Sequence, residues 1–151
     1  MYSCILVPVD GSDAAECGLR EAIRIATATK GKLVVLNVVN EFPLLLDPVA
    51  LADYNSLLEA LSRAGDEIVA KAAKTATEAG IECESVVVDA TTGQAATAIV
   101  EQAVSRHCDL IVMGTHGRRG LKRLALGSDA ELVVRQSHVP VLLVKASPSA
   151  H

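Results

Sequence analysis

Residues 113–131, MGTHGRRGLKRLALGSDAE, combine glycines with Arg118, Arg119, Lys122 and Arg123 in a chain whose formal net charge is −4. Glycine adopts φ > 0 and lets backbone approach a ligand closely, so Gly114 and Gly117 can wrap a loop around phosphate oxygens and offer bare amide donors. Ten residues after Gly117, Gly127 and Ser128 open a helix. Its N-terminus carries about half a positive elementary charge and unpaired N–H groups. A polyphosphate fits between loop and helix end, with the basic side chains converging on its charge. The alternative is a set of turn glycines, solvated cations and a serine that only caps its helix. That alternative explains each part but not the clustering. Neither the GxxxxGKS/T loop nor GxGxxG occurs, which disfavours a motor-type NTPase or an ordinary dinucleotide dehydrogenase.

Positioning such a loop requires a scaffold, and the hydrophobic pattern supplies one. Five short apolar runs, SCILVPV (3–9), KLVVLNVV (32–39), ECESVVV (82–88), DLIVMG (109–114) and VPVLLVK (139–145), read as strands buried on both faces. Between them, Leu19, Ala22, Ile23 and Ala26 mark one helix stopped by Gly31. Leu57, Leu61, Ala64, Ile68 and Ala72 mark a longer one ending at Gly80; it starts as early as Asp47, with Pro48 at its first position. A third helix, around Ile99, Val100, Ala103 and Val104, is opened by a capping box of Thr91 and Gln94, and a fourth by a capping box of Ser128 and Glu131. The segment 40–56, with two prolines, reads as a loop or irregular helix start whose apolar residues pack against their own domain, the alternative being a partner surface or lid.

The alternation β-α-β-α-β-α-β-α-β with right-handed crossovers implies an open parallel sheet covered on both faces. In such sheets ligands bind beyond the carboxyl ends of the strands where the order reverses. With order 3-2-1-4-5, the end of the first strand, PVDGS, lies beside the end of the fourth, MGTHG.

With 151 residues, one domain spanning 1–151 is expected, and at 50% hydrophobic but 2% aromatic residues its core is aliphatic. The acidic balance, with pI near 5.5, argues against nucleic acid or an anionic membrane as partner. No apolar run is long enough to span a bilayer, and MYSCILVPVDGSD lacks the basic start and cleavage site of a signal peptide, so a cytoplasmic location is expected. Cys4, Cys17, Cys83 and Cys108 form no CxxC pair and read mainly as buried reduced thiols. His107, His138 and His151 show no metal-ligand spacing.

GTHGRRGLKRLALGS matches the G-x2-G-x9-G-S/T signature of the ATP-binding branch of the universal stress protein family, with Gly114, Gly117, Gly127 and Ser128 in register. ILVPVDGSD resembles the first strand and loop of that family, VVLNVV its second strand and HVPVLLVK its last, so the resemblance covers essentially the whole chain. It implies an α/β fold that is Rossmann-like and similar to adenine nucleotide alpha hydrolases, binding ATP. By position, Pro8, Val9, Asp10 and Val38 would line the adenosine site, with Ala90 in contact from the third strand. Met113, Gly114, His116 and Gly117 would line the floor and phosphate entry, with Arg118 beside them, and Gly127 and Ser128 would hold the triphosphate. Asp10 would bond ribose or adenine, or help hold a Mg²⁺ bridging phosphates. The resemblance also implies a homodimer formed through the last strand, at Val139, Val141 and Leu143, which would cover an apolar edge that is otherwise an aggregation hazard.

Three functions follow. The leading one is a nucleotide-dependent regulatory or sensor dimer in stress response with slow or no hydrolysis. The second is an ATPase or phosphate- or adenylate-transferring enzyme; its only obvious acid–base candidates are His116 and Asp10. The third is a dimeric interaction module with an empty pocket, against which the intact glycines count.

Overall fold

The structure, a computed structural model, describes residues 1–90, 94–115 and 126–146. Five parallel strands, β1 (Cys4–Pro8), β2 (Lys32–Asn40), β3 (Cys83–Ala90), β4 (Leu110–Gly114) and β5 (Val141–Val144), form one sheet in the order β3-β2-β1-β4-β5. Helix α1 (Asp13–Thr29) links β1 to β2, and α5 (Ala95–Ser105) and α6 (Ser128–Gln136) flank β4. Between β2 and β3 lie α2 (Phe42–Leu46), α3 (Pro48–Ala52) and α4 (Tyr54–Glu78). The expected α/β architecture and strand order hold.

The strands alternate between two apolar layers because successive side chains point to opposite faces. Ile5, Val7, Leu33 and Val35 pack with Leu19, Ala22 and Ala26 of α1 and Val69, Ala72 and Ala76 of α4. Cys4, Leu6, Val34 and Leu36 pack with Ala96, Ile99 and Ala103 of α5 and Ala130 and Val133 of α6. The helices contribute mostly alanine at these contacts, so they sit close to the sheet, and the aliphatic strands fill the volume that aromatic residues would otherwise take.

Helix boundaries depend on single residues, and several differ from the sequence pattern. Ser12 caps α1, its Oγ accepting from the Ala15 amide at 3.2 Å. At the other end Lys30, not Gly31, takes the left-handed conformation, with φ 57°. Gly31 is needed for a different reason: a Cβ there would lie 2.5 Å from the Tyr2 carbonyl oxygen. Asp47 does cap a helix beginning at Pro48, accepting from the Val49 and Ala50 amides, but that helix stops at Ala52, and α4 begins separately at Tyr54. Gly80, at φ 81°, ends the α4 connection as expected.

Neither capping box forms as the spacing suggested. Gln94 is itself the N-cap of α5 and makes no side-chain cap bond, while Thr91 lies outside the described residues. In α6 the N-cap is Gly127, Ser128 is already helical, and Glu131 pairs with Arg135 at 2.8 Å. In 42–52 the short α2 and α3 bury no residue, and Leu46 and Val49 are 68% and 81% exposed, so this segment does not pack inward as its composition suggested.

Candidate functional site

In a parallel sheet every strand delivers its carboxyl end to one side, and β1 and β4 are the neighbours whose connections diverge to opposite faces. The β1 end is held at several points. The Val9 amide donates to the Leu36 carbonyl at 2.8 Å, and the buried Asn37 Nδ2 donates to the Val9 carbonyl at 2.8 Å. Gly11 then turns the chain at φ 82°, and Asp10 Oδ1 accepts from the Ser12 amide at 2.9 Å. Together these bonds fix the direction in which the Pro8–Asp10 end leaves the sheet. Asn37 can occupy its place because residue 65 of α4 is glycine: a Cβ there would lie 2.6 Å from Asn37 Oδ1. Sequence reasoning passed over both residues, although a polar side chain inside VVLNVV was the available signal.

The β4 end is organised by close backbone packing. A Cβ on Gly114 would lie 2.6 Å from both the carbonyl carbon and oxygen of Ala14, and one on Gly18 would lie 3.2 Å from the Gly114 amide. Gly114 is therefore glycine for a reason independent of any ligand: α1 rests on β4 there. That contact also brings the first turn of α1 to the β4 end.

Beyond Gly114, the Thr115 amide donates to the Val144 carbonyl at 3.0 Å, and the Thr115 carbonyl accepts from the Gly127 amide at 2.7 Å. The two residues that bracket 116–126 are thus joined directly. The Gly127 amide is consumed by this bond and is not one of the donors expected for a ligand. The remaining first-turn amides of α6 belong to Ser128, Asp129 and Ala130, and among the described residues no side chain caps them. Ser128 is exposed, with its hydroxyl not used in capping.

Of the other expected site residues, Met113 is buried between the sheet and the α5–α6 layer, Val38 is half-buried, and Ala90 is buried at the end of β3, where its carbonyl accepts from the Glu41 amide at 3.1 Å. His116, Gly117 and Arg118 lie outside the described residues, as do Arg119, Lys122 and Arg123. Among the described residues no group of three or more His, Cys, Asp or Glu side chains could hold a metal ion, so a cation here would rely on Asp10 and on ligand oxygens. The larger cavity, about 500 Å³ beside Ser3, Lys30, Lys32 and Gly80, opens at the opposite ends of the strands. A smaller one of about 60 Å³ adjoins the β1 loop at Val9, Gly11 and Ser12. The crevice is preferred over the large cavity because the β1 end and, through its bond to Thr115, the N-terminus of α6 both lie on the carboxyl side of the sheet, whereas the large cavity is lined by the C-terminal ends of α1 and α4. No described helix is long and apolar enough to cross a membrane.

Residues 1–145 match the family model described as the universal stress protein family. The chain is 37% identical over 145 residues to universal stress protein MJ0531 of Methanocaldococcus jannaschii, covering 96% of this chain and 83% of that one. Among solved structures, the protein MJ0577 of the same organism superposes with a TM-score of 0.83 at 29% identity, covering 99% of each chain. A universal stress protein solved in complex with cAMP superposes with a TM-score of 0.67 at 28% identity, covering 97% of this chain and 98% of that one.

Proposed function

The chain belongs to the universal stress protein family, and from that premise we propose that it binds an adenine nucleotide, ATP, across the β1–β4 crevice and acts as a regulatory dimer with slow or no hydrolysis. The observation that carries this reading is the N-terminus of α6, which no side chain among the described residues caps, with the exposed Ser128 hydroxyl beside it: amide donors and a helix dipole there suit phosphate oxygens. Support also comes from the relative solved with cAMP, an adenine nucleotide.

In this reading Pro8, Val9 and Val38 line the adenosine end with Ala90 beyond them, and Met113 forms the floor. Gly114, His116, Gly117 and Arg118 lead to the phosphates, which rest on Ser128 and the α6 amides. Asp10 would bond the ribose or help hold a Mg²⁺, which would supply charge neutralisation there. Because Asp10 Oδ1 already accepts from the Ser12 amide, its orientation is set before the ligand arrives. A second copy pairs antiparallel along β5, at Val139, Val141 and Leu143. Among the described residues β5 pairs with β4 alone, leaving its outer edge for such a partner. A cytoplasmic location completes the proposal.

Small molecules released by denaturing freshly purified protein, identified by mass spectrometry and chromatography, test the reading, with a Gly117→Val/Gly127→Val variant alongside. Intact ATP near one per chain in the parent, absent from a folded variant, is the expected result. Predominant ADP redirects attention to turnover. A parent that is empty and also fails to bind added ATP overturns the proposal.

A further inference from the structure

Far from that crevice, at the opposite ends of the same two central strands, two thiols meet. Cys4 opens β1 and Cys108 stands two residues before β4; they are 4% and 5% exposed, and their sulfur atoms are 3.2 Å apart. The pairing is held by backbone as well as by side chains. Asp109 Oδ1 accepts from the Cys4 amide at 3.2 Å, and the Asp109 amide donates to the Cys4 carbonyl at 2.8 Å, so both main-chain polar groups of Cys4 are tied to the neighbour of Cys108. Asp109 Oδ2 further accepts from the Ser3 amide and hydroxyl at 2.8 and 2.9 Å. All four cysteines are free thiols.

We propose that Cys4 and Cys108 form a dithiol modification site whose reactant is a small peroxide and whose product is an internal disulfide linking β1 to the β4 entry. The sulfur atoms need to approach by only about 1.2 Å to reach disulfide bonding distance. One thiol, deprotonated as the site opens, attacks a peroxide oxygen; the O–O bond breaks, and a sulfenic acid and water result. The second sulfur then displaces the hydroxyl, which leaves with that thiol's proton as a second water. Two thiols and one hydrogen peroxide give one disulfide and two waters.

The cover over the pair is thin. Met1 and Ser3 are exposed, Tyr2 is half-buried, and the exposed His107 turns the chain at φ 53° on the other side. Local opening of the exposed segments that carry Ser3 and His107 would admit a peroxide while the strands stay paired. Burial, reinforced by the hydrogen bond with Cys4, pushes the Cys108 thiol up to about 12. The closed state is therefore slow to react, and because the reduced form gains nothing from a stabilised thiolate, the disulfide once formed resists reduction. This inference is independent of the nucleotide reading, since none of its residues lies in the crevice.

The test uses the full chain carrying Cys17→Ser and Cys83→Ser, exposed to hydrogen peroxide in the folded state and then alkylated in denaturant. The expected result is a mass lower by two hydrogens, a peptide linking Cys4 to Cys108, and a Tm raised by roughly 10 °C, the scale for restraining a loop of this length. Both changes should reverse on reduction. Adding Cys4→Ala or Cys108→Ala should abolish the mass loss while the protein stays folded. Two alkylatable thiols after treatment, sulfinic acid without a link, or a link that forms only in denaturant would each overturn the proposal.

Discussion

Replacing Gly114 with alanine separates the two reasons a glycine can occupy the end of β4. If the residue is small only so that a phosphate can approach, the ligand-free protein should not notice a methyl group. The geometry says otherwise. The new Cβ would stand 2.6 Å from the Ala14 carbonyl carbon and oxygen and 2.9 Å from its Cβ, and two of those three atoms are backbone. Ordinary carbon contacts lie near 3.5–4.0 Å, so α1 and β4 must separate by about 1 Å at this point. Such overpacking costs typically about 1–3 kcal/mol. For a chain of this size that lowers Tm by roughly 2–12 °C. Urea denaturation of the ligand-free variant measures the cost directly. Ala14→Gly in the same background removes only the 2.9 Å contact, so it should recover a minor part of the loss. A Gly114→Ala protein whose stability lies within about 0.5 kcal/mol of the parent would refute the packing account.

Ser12 and Ser128 should respond oppositely to alanine: losing the α1 cap costs about 1 kcal/mol in urea denaturation, whereas Ser128→Ala should leave stability unchanged and weaken ATP binding by about tenfold in calorimetry, the scale of one hydrogen bond. Gly65→Ala should destabilise by about 1–2 kcal/mol by displacing Asn37 from the Val9 carbonyl. In an Asn37→Ala background its cost should shrink or turn into part of the ~1 kcal/mol gain that alanine has over glycine in a helix. Burial acts to raise the Asp109 carboxyl, but bonds from the Ser3 amide, the Cys4 amide and the Ser3 hydroxyl outweigh it and hold the group below the usual aspartate value. A depressed native pKa stabilises fully above the unfolded value near 3.9 and loses that contribution as pH falls through the native value. Asp109→Asn should therefore cost about 1 kcal/mol at pH 7, and urea midpoints should converge with the parent's as pH falls below about 4.

The sheet was legible because its central strands β1, β2 and β4 are buried on both faces and so read as continuous apolar runs, and all five runs became strands within two residues of their expected limits. The edge strands depart from the expected burial: β3 exposes Glu84, Ser85 and Asp89, and no residue of β5 is fully buried. Caps were less legible. Shifting Ser128 by one position moves it from the cap into the first turn, and sequence spacing does not resolve one position. Gly31 was read as a helix stop and Gly114 as a phosphate-loop residue, whereas the constraints seen on them are contacts with Tyr2 and Ala14, partners that only the tertiary arrangement supplies. The same holds for Cys4 and Cys108, which 104 positions of sequence keep apart. The polar contacts at the crevice were legible as loops and residue types, while the bond between Thr115 and Gly127 was not, because it depends on where α6 starts.

Helix α4 has 25 residues and a length of about 37 Å, against about 30 Å for the nine residues of β2 on which it lies. Its first buried residue is Gly65, so its opening three turns are half-buried at most. They are tied to the end of β2 by the bond from the Tyr54 hydroxyl to the buried carboxylate of Glu41, the residue that follows that strand. Cutting that one tie should loosen the start of α4 before it disturbs the half of the helix that packs on the sheet.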